Sequence, residues 1–91
     1  MIQSFKHKVE LFFNTGRKSG IQAKHAKRLS LILGRLNAAT SPKDMNLPGL
    51  FLHVLSGDRT DIWSVRVSAN WRVTFRFNDT QAEIVDYEDY H

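Results

Sequence analysis

Residues 62–77 constrain this chain more than any other stretch. Trp63, Val65, Val67, Trp71, Val73, Phe75 and Phe77 occupy odd positions and are apolar, whereas Ser64, Arg66, Ser68, Asn70, Arg72, Thr74 and Arg76 occupy even positions and are polar. Successive side chains of a strand point to opposite faces, so a period of two over this length predicts two half-buried strands. A short turn near Ser68-Ala69-Asn70 would join them. Their odd faces must meet the core. Arg66, Arg72 and Arg76 then share the outer face, with Asn70 at its edge, and guanidiniums grouped in this way suit phosphate.

The rest of the chain supplies what that ribbon packs against. Phe5, Val9, Phe12 and Phe13 fall at helical spacing, which predicts a first helix over about 5–15, stopped by Gly16. Ala26, Leu29, Ile32, Leu33 and Leu36 recur at three and four, which predicts a second helix over about 22–39. Lys24, Lys27, Arg28 and Arg35 lie largely outside that stripe, and His7 and His25 read as solvated helix residues. Pro42 and Pro48-Gly49 break the pattern. A well-covered strand is expected over 50–55, and a last strand over 82–87 follows the turn at 78–81. Helices followed by sequential short strands make an α+β domain, with the two helices on one face of a small, mainly antiparallel sheet. At 91 residues without a linker or repeat, a single domain spanning 1–91 is expected.

Composition narrows the chemistry. No cysteine is present, which removes thiol catalysis, disulfides and thiolate metal sites. No His-x-x-x-His spacing suggests a metal, and no glycine loop of a nucleotide-binding type occurs, so no cofactor is expected. No run approaches the ~20 apolar residues of a membrane helix, and no signal peptide is visible, so a cytoplasmic protein without a membrane partner is expected. The net charge is +4 and uneven. Residues 1–45 hold nine basic side chains against two acidic ones, and residues 46–91 hold four against seven. A basic half attracts polyanions, and Lys24, Lys27 and Arg28 are candidates for RNA contact.

Proton-transfer groups gather late in the chain. His53 lies on the expected 50–55 strand, and Asp89-Tyr90-His91 directly follow the last one. Metal-free RNA cleavage needs a base for the 2′-hydroxyl, cations for the phosphate oxygens and an acid for the leaving 5′-oxygen. His53, Asp89, Tyr90 and His91 with Arg66 and Arg72 supply every part, although spacing does not assign base and acid.

Several blocks together carry a family resemblance: Ser4-Phe5-Lys6-His7-Lys8, Leu55-Ser56-Gly57-Asp58-Arg59, Trp63-Ser64-Val65-Arg66-Val67, Ala69-Asn70-Trp71-Arg72-Val73-Thr74-Phe75 and Asp86-Tyr87-Glu88-Asp89-Tyr90-His91. In these the chain resembles the HigB toxins of the RelE/ParE-like group, over almost its whole length. The resemblance implies a RelE-like fold and a ribosome-dependent endoribonuclease that cuts mRNA in the ribosomal A site. It implies as partners the 70S ribosome, mRNA and a HigA-like helix-turn-helix antitoxin, with operator DNA bound only through the antitoxin complex. By position, His53, Asn70, Arg72, Asp89, Tyr90 and His91 match the family's site. Ser56 and Ser68 stand where some relatives carry lysine and arginine, and Arg66 could partly replace the second cation. Two rival expectations are a toxin of this fold that inhibits a protein such as gyrase, and a small module that binds nucleic acid through its basic helices.

Overall fold

The computed structural model describes residues 1–59 and 61–89. Two helices and a four-stranded antiparallel sheet form an α+β fold. Helix α1 spans His7–Thr15 and ends at Gly16, whose left-handed backbone lets its N–H bond the carbonyl of Phe12. A 3-10 turn, Ala23–His25, leads into helix α2, Ala26–Ala38. The strands are β1 (His53–Val54), β2 (Trp63–Ser68), β3 (Trp71–Asn78) and β4 (Gln81–Asp89), paired in chain order.

The odd face behaves as its pattern demands. Val65, Val67, Val73 and Phe75 are buried against Leu29, Ile32, Leu33 and Leu36 of α2 and Val9 and Phe12 of α1. Burial of such side chains stabilises by roughly 1.5–3 kcal/mol each, so this seam is the main source of stability. His25 also sits in it, only 4% exposed, against the expectation of a solvated helix residue. It lies four residues before Leu29 and seven before Ile32, on the buried stripe.

The expected strand over 50–55 shrinks to two residues, and both are exposed. The cause is local: Gly49 and Phe51 both adopt positive φ, which an extended strand cannot contain. At the other edge the N-terminal segment runs parallel to β4, bridging Ile2 to Ala82 and Phe5 to Val85. There β4 carries an extra residue. Thr74 pairs with Asp86 but Arg76 pairs with Glu83, and Ile84, within the bulge, takes φ of 46°. Ile84 N–H bonds the Ser4 hydroxyl oxygen, and Val85 N–H bonds the Ser4 carbonyl.

Candidate active site

The register fixes which side chains meet on the outer face. One row across the sheet reads His53, Ser64, Thr74 and Asp86, and the next reads Arg66, Arg72 and Glu88. Arg66 and Arg72 are direct cross-strand partners. Like charges in that position repel, so the pairing favours an anion above them. Leu50, beside Arg66, accepts its backbone N–H, which brings the 49–51 segment along the same row.

His53 is exposed, and both ring nitrogens have neighbours. Nδ1 lies 3.2 Å from the Phe51 carbonyl oxygen, and Nε2 lies 3.4 Å from the Ser64 hydroxyl. A carbonyl can only accept, so Nδ1 carries the hydrogen. Nε2 is then the ring's acceptor lone pair, aimed along the outer face.

Counter-charge for the arginines is partly committed. Arg59, from the 3-10 turn Gly57–Arg59, donates two hydrogen bonds to Glu88 at 3.1 and 2.8 Å, and the Thr74 hydroxyl donates a third, short one. The Arg59 bonds, with help from Thr74, hold the Glu88 carboxyl below its ordinary value despite partial burial. Ser64 and Thr74, in the neighbouring row, are buried rather than solvated as their even positions suggest. Lys6, Arg59, Ile62, Thr74, Asp86 and Glu88 line a cleft of about 280 Å³ beside it.

The remaining expected site residues scatter. Asn70 sits exposed in the β2–β3 turn, close to Arg72 in sequence. Arg76 shares the outer face but ion-pairs Glu83, one contact at 2.7 Å, some ~13 Å along the strand from Arg72. Lys24 and Lys27 are exposed on the helical layer. Arg28, also exposed, donates to the carbonyls of Gly49 and Arg66 at 2.8 and 3.1 Å, so it braces the strands. Asp89 pairs with Trp71, and alternation sends it to the helix-side face, where its charge adds to burial in raising the Tyr87 phenol. Glu88, not Asp89, is the β4 carboxylate beside Arg72. Tyr90 and His91 lie outside the described residues.

A second titratable cluster lies behind the sheet. Tyr87 is fully buried and stacks on Trp71 with ring centroids 4.5 Å apart. Its oxygen accepts the Gln22 N–H at 3.4 Å and lies 2.6 Å from Nδ1 of His25. The phenol and the imidazole thus share one short, buried hydrogen bond. Burial first, and Lys24 second, push the His25 pKa down. No sequence motif pointed to this pair.

Comparison with known proteins decides the affiliation. Residues 3–91 match the family described as the RelE-like toxin of type II toxin–antitoxin system HigB. The chain belongs to the HigB-like toxins. Among its relatives is the "Endoribonuclease HigB" of Proteus vulgaris, 45% identical over 92 residues and covering all of both chains. For a HigB-like toxin, the layout is informative: His53, Arg66 and Arg72 share the outer sheet face, and none of the three lines the cleft beside Glu88. An open face admits a long, anionic substrate. Among the described residues no group of three or more His, Asp or Glu side chains could hold a metal, and no helix is long and apolar enough to cross a membrane.

Proposed function

We propose that this toxin is a ribosome-dependent mRNA endoribonuclease that works without a metal and is neutralised by a cognate helix-turn-helix antitoxin. One observation carries the reading: His53, its ring oriented by the Phe51 carbonyl, stands one row from the Arg66–Arg72 pair. The relative's name, an endoribonuclease, supports the same chemistry.

His53 Nε2 takes the proton of a ribose 2′-hydroxyl. The 2′-oxygen attacks the adjacent phosphorus, and Arg66 and Arg72 neutralise the charge that builds on the non-bridging oxygens. The bond from phosphorus to the 5′-oxygen breaks, leaving a 2′,3′-cyclic phosphate. His91 or Tyr90 gives the leaving oxygen its proton, with Asp89 supporting that end of the chain. Positioned proton transfer supplies about 10²–10⁴-fold of the rate. Asn70 contacts the substrate near Arg72, and Arg76 extends the cationic face. Lys24 and Lys27, with Arg28 as a brace, meet ribosomal RNA. Such a substrate puts the toxin in the cytoplasm, with operator DNA reached only through the antitoxin.

The test is mRNA integrity on translating ribosomes. His53→Gln, Arg72→Ala and removal of His91 should each abolish most cleavage, and naked RNA should survive. Unchanged cleavage by all three variants would overturn the mechanism. Intact mRNA with inhibited topoisomerase would replace it with the inhibitor reading.

A further inference from the structure

We propose that Phe51 is a platform on which a nucleobase of the substrate strand stacks, next to the phosphate held by Arg66. The proposal rests on the nuclease reading above and adds to it the residue that engages a base. Phe51 is 59% exposed, while every other phenylalanine, tyrosine and tryptophan side chain among the described residues is largely covered. Its φ of 51° is a conformation that bulky residues rarely adopt, and strain of this kind persists only where the surroundings impose it.

The surroundings do impose it. The carbonyls of three successive residues are all engaged: Gly49 by Arg28, Leu50 by the Arg66 N–H, and Phe51 by His53 Nδ1. The ring is thereby fixed with the Arg66 guanidinium 4.6 Å from its centroid. A rigid, exposed aromatic face beside a cation suits a ligand that carries a flat π-system and a negative charge on the same unit. A nucleotide has both, and single-stranded RNA is commonly bound by stacking its bases on aromatic rings. Such stacking changes affinity by about 5- to 150-fold per base.

The experiment uses ribosomes programmed with an mRNA that carries either normal bases or one abasic nucleotide beside the cleavage site. Phe51→Leu should slow single-turnover cleavage of the normal mRNA by about 5- to 150-fold and that of the abasic mRNA by less than about 2-fold. Phe51→Trp should keep the wild-type rate within about 3-fold. Phe51→Gly should lose cleavage like leucine yet melt no lower than wild type, because glycine tolerates the positive φ. A parallel mRNA, blocked by 2′-O-methylation and carrying 2-aminopurine at that nucleotide, reports stacking as quenched fluorescence without any cleavage. Equal loss on both cleavable mRNAs, or no loss at all, would overturn the platform; so would quenching that survives Phe51→Leu. Quenching that is lost in Phe51→Leu, alongside a wild-type protein that cuts nothing, would keep the platform and discard the nuclease reading. A defect of Phe51→Leu confined to antitoxin binding would assign the ring to a protein partner and also overturn the proposal.

Discussion

The two faces of one sheet treat histidine in opposite ways. Behind the sheet, His25 is buried, bonded to Tyr87 and held neutral by its surroundings. In front, His53 is exposed, and its ring is oriented by a backbone carbonyl and a serine hydroxyl at longer range. The back face spends its imidazole on fixing the start of α2 against β4. The front face leaves an exposed imidazole one row from the Arg66–Arg72 pair. A histidine's role here follows from which side of the ladder it meets, and a buried, well-satisfied ring is the structural one.

That contrast can be broken first where it is widest. His53→Gln should lower mRNA cleavage by about 10²–10⁴-fold while leaving urea unfolding unchanged, since the ring covers little core. If His53→Gln instead unfolds the protein, the front face is structural after all. Leu33→Ala, at a fully buried position of α2, should do the reverse. It should cost about 2–5 kcal/mol in urea unfolding, and the folded fraction should cleave at the wild-type rate. Tyr87→Phe sharpens the back-face account. It removes the hydroxyl that serves both His25 and Gln22, and should destabilise by about 1–3 kcal/mol.

The smallest expected effect is a pH dependence. His25 has a folded pKa below its ordinary 6.5, so the folded state binds its proton less readily than the unfolded chain. Its contribution is complete above pH 6.5, falls as pH drops below that value, and levels off below the folded pKa. Glu88, lowered from 4.5 mainly by Arg59, adds a second loss at more acid pH by the same sign. Urea titrations from pH 8 to about 3 should show the first loss vanish in His25→Gln and the second shrink in Arg59→Ala. A first loss that survives His25→Gln would assign it to another group.

Much of this arrangement is legible in the chain. The alternation over 63–77 sets both the core face and the Arg66–Arg72 pairing, and the leucine spacing sets α2. His25 was legible too, because it stands on the same stripe as Leu29, Ile32 and Leu36. Its polarity argued for solvent, and only the Tyr87 hydroxyl, 62 residues away, overrides that argument. The two-residue β1 was not legible, because the left-handed backbone of Phe51 is imposed by partners distant in sequence, Arg28 and Arg66, together with nearby His53. Nor was the Arg59–Glu88 clamp, which joins a turn to a strand across β3.

The extra residue in β4 makes the last strand sensitive to phase. Side chains there alternate by parity, so deleting Ile84 with the Asn78–Gln81 hairpin kept would turn Asp89 toward the arginines and Glu88 toward the helices. Ser4 grips both residues of the irregularity. The amino-terminal segment thus helps to hold the phase that sets which sides of the sheet Glu88 and Asp89 face. A graft or trim within the first five positions would be felt 80 residues later, at the register of the last strand.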